Sequence, residues 1–164
     1  MKLSSPSRLA SHRLEVRMAK SVPDGYHTLT PYLTVADGEG MLRFLKDVFG
    51  AELRERFNRA DGSLKHAELQ LGDCRVMVGQ ANEQFTPRPQ TFYVYLDDVD
   101  AAFQRALSAG AKSLMPVSNA DYGDRTGGFE DPNGNWWWVA THIEDVSAEE
   151  IQRRTTEREL SQSK

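Results

Sequence analysis

Apolar residues recur along this chain in a pattern that repeats once, and each copy predicts a strand followed by a helix. In the first copy, a strand-like run covers 28–35 and apolar residues at helical spacing cover 41–49. In the second copy, the corresponding runs cover 91–96 and 101–107. A glycine follows each helical run, and glycine suits the left-handed conformation that often ends a helix. The repeat predicts two structural units in tandem.

Each copy also closes with two strand-like runs joined by a turn. In the first copy, 64–71 leads into 74–79, and in the second, 127–130 leads through a turn at 131–134 into 135–141. The second turn holds an Asn-Gly pair preceded by proline, which is a strong hairpin signal. We therefore predict an α+β protein built from two β-α-β-β-β modules that pair their sheets into one cleft.

Alternation within the predicted strands separates two faces. One set of alternate positions is apolar and is expected to lie under the helices: Leu33, Val35, Ala67, Leu69, Leu71, Phe92, Val94 and Leu96. The other set mixes hydroxyls, aromatics and one acid: Thr30, Tyr32, Thr34, His66, Glu68, Gln70, Thr91, Tyr93, Tyr95, Trp136 and Trp138. Aromatic walls with a few polar groups favour a ligand cavity. The alternative is a closed core in which the polar tips are hydrogen-bonded.

Composition narrows the class of protein. The chain has 164 residues and a net charge of -4, so it suits one domain and disfavours nucleic acid as its partner. No apolar run approaches the roughly 20 residues that cross a bilayer, so no membrane association is expected. The single cysteine, Cys74, cannot form an internal disulfide, which predicts a reducing compartment and a cytoplasmic protein.

The two ends of the chain differ from the middle. Residues 1–22 are basic and rich in serine, which predicts a disordered leader that an upstream start codon would explain; a transit peptide is the alternative. Residues 23–145 form the predicted domain, with module one at 23–84 and module two at 88–145.

Residues 146–164 are predicted to form a C-terminal helix and tail. Ser147 with Glu150 three residues later is typical of a capping box, and the helix is expected over about 148–159. Its apolar face is thin, so the helix must dock on its own domain or on a second subunit to persist.

Several segments of the chain resemble the vicinal-oxygen-chelate superfamily, also called glyoxalase/bleomycin-resistance/dioxygenase, and most closely its PhnB-like branch. The segments that carry the resemblance are 26–35, 44–50, 66–69, 123–125, 130–134 and 140–146. The resemblance implies the glyoxalase/bleomycin-resistance fold, in which two tandem βαβββ modules form a curved mixed sheet around a cavity. It also implies a homodimer.

Enzymes of this superfamily hold a divalent metal in that cavity. Carried over by resemblance, the four ligand positions fall on Thr30, Val76, Thr91 and Trp138. None of these side chains binds a catalytic metal well, so no metal cofactor is expected. His66 and Glu68 lie two residues apart on one strand and point the same way, so a non-standard metal site there would still need a third ligand.

Two other polar residues are candidates for the site. Glu68 is the candidate catalytic acid or base, working with Tyr32 or Tyr93. Arg125 is a candidate clamp for a carboxylate or phosphate, and the alternative is an ion pair with Glu68 or Asp124. The two remaining histidines of the matching segments, His27 and His142, are expected to be surface residues at strand ends.

Three functions remain open from the sequence. The first is a metal-free binding protein for a small aromatic or cationic molecule. The second is a lyase, isomerase or transferase that uses His66 and Glu68, with or without a divalent metal. The third is a structural or regulatory dimer with a vestigial cavity. The predicted ligand-binding residues are Thr30, Tyr32, His66, Glu68, Thr91, Tyr93, Arg125, Trp136 and Trp138.

Overall fold

Residues 19–162, the part of the chain that this computed structural model describes, hold eight strands and three helices. Module one consists of β1 (Tyr32–Val35), α1 (Gly38–Phe49), β2 (Glu52–Asn58), β3 (Leu64–Leu71) and β4 (Cys74–Gln80). Module two consists of β5 (Thr91–Tyr95), α2 (Val99–Ser108), β6 (Lys112–Asn119), β7 (Asp124–Glu130) and β8 (Trp136–His142). The last helix is α3 (Ala148–Gln162). Most of the predicted leader, 1–22, lies outside the described residues.

The two modules build sheets of identical strand order. The first sheet has the order β1-β4-β3-β2, and the second has the order β5-β8-β7-β6. In each sheet the opening strand runs parallel to the closing strand, and the other neighbours run antiparallel. The predicted α+β class and the tandem βαβββ repeat are therefore confirmed as two four-stranded mixed sheets.

The opening strand of module one is shorter than predicted. The run 28–35 forms a strand only over Tyr32–Val35. Pro31 has no backbone N–H to donate to a neighbouring strand, although its carbonyl accepts from the Met77 N–H at 2.9 Å. The Thr30 hydroxyl donates to the His27 carbonyl at 3.1 Å, which holds the preceding residues in a turn. Hydrogen bonding, rather than the apolar pattern, sets where this strand begins.

A side chain on the closing strand ties each helix to its sheet. In module one the Gln80 Oε1 accepts from the Gly38 N–H at 2.7 Å. In module two the Thr141 Oγ1 accepts from the Val99 N–H at 3.0 Å. Each side chain also donates to a carbonyl at the end of the opening strand. These bonds satisfy an N–H group that a helix N-terminus leaves without an intrahelical partner.

The faces of the two sheets that carry the helices meet in one hydrophobic core. The ring of Phe49 on α1 lies 5.0 Å, between centroids, from the ring of Trp137 on β8. The ring centroids of Phe44 on α1 and Phe129 on β7 lie 6.1 Å apart. Because the helix-covered faces share this core, the opposite faces of the sheets point away from it. We call these opposite faces the open faces.

Asp131 organises the turn before β8. Its buried carboxylate accepts from the backbone N–H groups of Asn133 and Asn135, and from the Trp137 indole N–H at 2.8 Å. Gly134 has φ 85°, a left-handed conformation that favours glycine. The turn predicted from sequence thus has a buried carboxylate at its centre.

The C-terminal helix docks on its own module two through charged groups. The Ser147 hydroxyl accepts from the Glu150 N–H at 3.3 Å, as expected of a helix N-cap, and the helix runs three residues beyond the predicted end. Arg154 donates to both carboxylate oxygens of Glu144 at 2.8 Å. Arg158 lies 3.2 Å from Asp121. Across residues 19–162, no helix combines the length and the apolar character that a membrane crossing requires.

Candidate functional site

The open faces carry the mixed aromatic and polar set that alternation predicts. The apolar positions Leu33, Val35, Ala67 and Leu69 are all buried against the helices. On the open faces, Tyr32, Tyr93, Tyr95 and Trp136 are between 45% and 63% exposed. The described structure therefore leaves large aromatic side chains of both sheets accessible to a ligand or to another chain.

A carboxylate lies at the centre of the open face of the first sheet. Glu68 on β3 is 7% exposed and accepts a hydrogen bond from the Tyr26 hydroxyl. The His66 Nε2 lies 3.3 Å from a Glu68 oxygen, and the Tyr32 hydroxyl lies 3.4 Å from the His66 Nδ1. The hydrogen bond to Glu68, followed by burial, raises the pKa of Tyr26, so its phenol stays protonated as a donor.

Tyr26 belongs to a segment that crosses this open face, residues 19–31, which we call the N-terminal arm. A cavity of about 630 Å³ lies between the arm and the sheet, and Thr30, Glu55, Arg75 and Met77 are among its lining residues. A second cavity of about 610 Å³ includes Tyr32 and His66 in its lining. The predicted residues Thr30, Tyr32 and His66 thus line cavities on the first sheet.

The second sheet carries a more deeply buried carboxylate, Asp124 on β7. It is 1% exposed and accepts from the Tyr93 hydroxyl at 3.1 Å, the Tyr95 hydroxyl at 3.0 Å and the His142 Nδ1–H at 2.7 Å. The His142 Nε2 lies 3.0 Å from the exposed carboxylate of Asp145. One buried acid thus fixes two phenols and an imidazole on the open face.

The proton affinities in this network follow from its contacts. Burial alone would raise the pKa of Asp124, but the hydrogen bonds from His142, Tyr95 and Tyr93 outweigh it, and its pKa lies below the usual value. The hydrogen bond to Asp124, and then that to Asp145, raises the pKa of His142. Burial is the main cause that raises the pKa of Tyr93. The network therefore favours a carboxylate that accepts bonds from a histidine and neutral phenols.

A glycine supports one aromatic ring on each open face. A Cβ added to Gly128 would lie 2.5 Å from the Cζ3 of Trp138, and one added to Gly79 would lie 2.6 Å from the Tyr32 hydroxyl oxygen. Real Cβ atoms do not approach other heavy atoms so closely, so a side chain at Gly128 would displace the Trp138 ring and one at Gly79 would displace the hydroxyl end of Tyr32. The two aromatic rings can therefore lie directly against the sheet backbone.

The other predicted residues of module two occupy the edge of its open face. Thr91 is exposed at the start of the edge strand β5 and pairs in register with Trp136. The Trp136 indole N–H donates to Glu130 at 3.1 Å. The predicted site residues are thus divided between two open faces, with Thr30, Tyr32, His66 and Glu68 at the first sheet and Thr91, Tyr93, Trp136 and Trp138 on the second.

Arg125 does not lie on an open face, and its expected partners were wrong. Its Nε and Nη2 donate to the two carboxylate oxygens of Asp100 on α2, at 2.6 and 2.7 Å, and its Nη1 donates to Asn119. Neighbouring residues in a strand point to opposite faces, so Asp124 turns toward the open face while Arg125 turns toward the helix. The ion pair with Asp100 makes Arg125 a link between β7 and α2.

The placement of Val76 at a metal-ligand position was also wrong. Val76 is buried in the core on the helix-covered face. Met77 on β4 pairs with Glu68 on β3, and Trp138 on β8 pairs with Gly128 on β7. Because β4 and β8 are the closing strands of the two modules, Met77 is the open-face counterpart of Trp138. A thioether and an indole are poor ligands for a divalent metal that prefers imidazole and carboxylate.

The residues at the superfamily's metal positions therefore do not fit a metal. Thr30, Thr91, Met77 and Trp138 offer no carboxylate, imidazole or thiolate. Within residues 19–162, no three His, Cys, Asp or Glu side chains come close enough together to hold an ion. His66 and Glu68 form a pair there without a third such residue.

Sequence reasoning missed three residues of these networks. The sequence includes Tyr26 only as part of a family-like segment. His142 is the half-exposed last residue of β8, as predicted, but its bond to Asp124 was not predicted. Asp124 was considered only as a partner for Arg125. The signal that could have found the last two is strand pairing, because Asp124 and His142 lie directly opposite each other on β7 and β8.

Comparison with known proteins places this fold in a family. The model of the glyoxalase/bleomycin resistance protein/dioxygenase superfamily matches residues 26–139, more than half of the chain. An uncharacterized protein of Mycobacterium bovis is 33% identical in an alignment of 135 positions, which covers 76% of this chain and 89% of that protein.

Solved structures show the same architecture. TioX from Micromonospora sp. ML1 is 29% identical, with a TM-score of 0.61 over 70% of this chain and 98% of its own. A PhnB protein from Bacillus cereus is 20% identical, with a TM-score of 0.58 over 70% of this chain and 99% of its own. TnmS3 from Streptomyces sp. CB03234, named an antibiotic binding protein, is 21% identical, with a TM-score of 0.56 over 71% of this chain and 95% of its own.

Proposed function

This chain belongs to the glyoxalase/bleomycin resistance protein/dioxygenase superfamily, and from that premise we propose that it binds a small aromatic or cationic molecule without the superfamily's metal. Family membership alone does not choose between a binding protein and an enzyme, because the family name itself includes both. The chemistry of the open faces favours the binding protein.

The observation that carries the proposal is the exposed aromatic surface of the second sheet. Tyr93, Tyr95 and Trp136 are each about half exposed, and the rings of Tyr93 and Tyr95 lie 5.2 Å apart. Because both phenols donate to Asp124, their rings are held in place before any ligand arrives. Preorganised aromatic rings beside a buried carboxylate favour flat or positively charged ligands.

A second copy of the chain is proposed to complete the cavity. Both open faces expose apolar side chains, with Phe57 on the first sheet 53% exposed and Tyr95 on the second 63% exposed. If the first sheet of one protomer faces the second sheet of its partner, a ligand between them is enclosed on two sides. The expected homodimer is tested by sedimentation velocity, and a one-chain mass at all concentrations would contradict this part of the proposal.

The named relatives support binding only by analogy of fold. TnmS3 is named for antibiotic binding, and its likeness to this chain extends to the fold. The proposal therefore rests on the aromatic open face. We also propose a reducing compartment such as the cytoplasm, since the only cysteine in the sequence, Cys74, is free.

Isothermal titration calorimetry with 1-methylquinolinium, and with neutral quinoline as its match, tests binding directly. We expect at least one of the two compounds to bind saturably. A cation–π contact with the phenol rings would give 1-methylquinolinium the higher affinity. Tyr95→Leu should weaken binding about fivefold or more, because a cation–π contact contributes about 1 kcal/mol. Leu160→Ala removes an exposed apolar side chain on α3 and should leave binding unchanged. The proposal fails if neither compound saturates, or if Tyr95→Leu binds as well as the wild type.

One observation favours a second candidate, an acid–base enzyme. Glu68 is nearly buried, and His66 lies 3.3 Å from its carboxylate and 3.4 Å from the Tyr32 hydroxyl, so an acid, an imidazole and a phenol adjoin on the first open face. Glu68→Gln separates the two functions, because it should abolish turnover of a substrate but only weaken the binding of a ligand.

A further inference from the structure

Two nitrogen atoms of one positively charged side chain on the first open face have no hydrogen-bond partner within residues 19–162. The Nε and Nη1 atoms of Arg75 are shielded from solvent and have no hydrogen-bond partner among the described residues. An arginine guanidinium carries five N–H donors, and shielded donors without an acceptor are costly. Shielded N–H donors beside a cavity therefore favour a ligand that supplies hydrogen-bond acceptors.

The surroundings of Arg75 hold the guanidinium in place without saturating it. Its Cζ lies 5.5 Å from the centre of the Tyr26 ring, a cation–π contact that leaves the planar edges of the guanidinium free for hydrogen bonds. Gly25, with φ 84°, passes close to the Nη2, where a Cβ would lie 3.5 Å away. Arg75 also lines the cavity of about 630 Å³ under the N-terminal arm.

The acids near Arg75 are engaged elsewhere or exposed. Glu68 accepts from Tyr26 and lies 3.3 Å from the His66 Nε2. Asp24 of the arm pairs with Lys20 at 2.5 Å. Glu55 lines the same cavity but lies on the exposed strand β2, where solvent screens its charge. None of the three is hydrogen-bonded to the guanidinium.

We propose that Arg75 binds an oxyanion group, such as a carboxylate, of the ligand in the cavity under the N-terminal arm. A carboxylate matches the fork of the guanidinium with two parallel hydrogen bonds, which supplies the missing acceptors. This inference deepens the proposed function and rests on it, since the first open face of one protomer and the aromatic second open face of its partner are proposed to enclose the ligand. It narrows the ligand to an aromatic molecule that carries an anionic group.

Arg125 shows what a satisfied arginine looks like in the same chain. Its Nε and Nη2 donate to Asp100 and its Nη1 donates to Asn119, so residues of the protein already occupy the donors that a ligand anion would need. The clamp that the sequence suggested at Arg125 is thereby assigned to Arg75. Arg125 serves as the internal control in the experiment.

The test follows the arginine Nε–H signals by ¹H–¹⁵N NMR while benzoate, and separately its neutral match benzamide, is added. The Arg75 signal should shift saturably with benzoate and much less with benzamide, while the Arg125 signal should stay in place. Acetate, which has no ring, should shift the same signal at higher concentration. An Arg75 signal that ignores both carboxylates, or responds equally to benzamide, overturns the inference.

Variants then separate this inference from the proposed function. Arg75→Gln should weaken benzoate binding at least about tenfold, because it removes charged hydrogen bonds, and should leave quinoline binding unchanged. Arg75→Lys keeps the charge without the planar fork and should recover part of the affinity for benzoate. It also serves as the control for a folding defect in the glutamine variant. Arg54→Gln removes a surface arginine that pairs with Glu52 and should have no effect. If quinoline binds but benzoate gains nothing from Arg75, the proposed function stands and this inference fails.

Discussion

The two open faces of this protein differ in what holds their central carboxylate. Asp124 on the second sheet is held by Tyr93, Tyr95 and His142, all on strands of its own sheet. Glu68 on the first sheet depends for its phenol donor on Tyr26, which lies on the N-terminal arm outside the sheet. The two modules share one architecture, but the network on the second sheet is made by strands of that sheet, while the network on the first sheet is completed by the N-terminal arm.

The difference has a consequence for stability and for access. A network made of neighbouring strands forms whenever the sheet forms, so its loss should be felt in global unfolding. A network completed by an arm can open when the arm moves, while the sheet stays intact. We therefore expect the first open face to be the more adaptable of the two and the second to be the more rigid.

The largest effect is expected from Asp124→Ala. The change leaves two phenols and an imidazole without their acceptor and opens a buried space, so the free energy of unfolding should fall by about 3 kcal/mol. Urea unfolding followed by circular dichroism measures it. Asp145→Ala removes the exposed carboxylate on the other side of His142 and should change little. Equal losses for the two variants would mean that the Asp124 network is not built into the fold.

The next effect compares the two glycines under the aromatic rings. Gly128→Ala should cost about 2 kcal/mol, since the new methyl group meets the middle of the Trp138 ring and overpacking costs about 1–3 kcal/mol. Gly79→Ala meets the hydroxyl end of Tyr32, which can swing away, and should cost less than half as much. Thermal unfolding of both variants gives the comparison. A larger loss at Gly79 would reverse the assignment of the rigid face.

Much of this fold could be predicted from sequence because its signals are local. Strand alternation identified Leu33 and Ala67 as core residues, and the turn residues before β8 located the hairpin that Asp131 stabilises. Both signals depend on residues that are close in the chain. Local pattern therefore predicted the two modules and the residues of the open faces.

The candidate site could be predicted only in part, because it depends on register and on a segment without periodicity. An error of one residue moves a side chain to the other face of a sheet, which is why Val76 was placed in the cavity instead of Met77. The same alternation separates Asp124 from Arg125. Tyr26 reaches Glu68 from 42 positions away in the chain, and no local pattern signals that contact.

A smaller effect is expected from Tyr26→Phe. The variant keeps the ring over Arg75 but removes the hydroxyl that donates to Glu68, so the free energy of unfolding should fall by about 1 kcal/mol. Hydrogen exchange should locate the change in β3 and the arm, with β5 and β8 unaffected. Tyr95→Phe is the matched change on the second sheet, where exchange in β5 and β7 should respond instead. Changes spread over both sheets in either variant would contradict the separation of the two networks.

The smallest effect is a dependence of stability on pH that comes from His142 on the second sheet. Folding raises the pKa of His142 above its ordinary value of 6.5, so the protonated imidazole stabilises the folded state fully below about pH 6.5. That contribution is lost as the pH rises through the higher folded pKa. Because His142 is half exposed, the effect should be modest. Thermal unfolding between pH 5 and pH 9 should show a decline in stability as the pH rises above about 6.5, and this decline should be absent in His142→Gln. The lowered pKa of Asp124 acts in a different range: its stabilising carboxylate is present above the ordinary value of 3.8 and is lost only as the pH falls through the lower folded value. A decline that survives in His142→Gln would assign the alkaline sensitivity to other groups and remove His142 from the network that fixes the second open face.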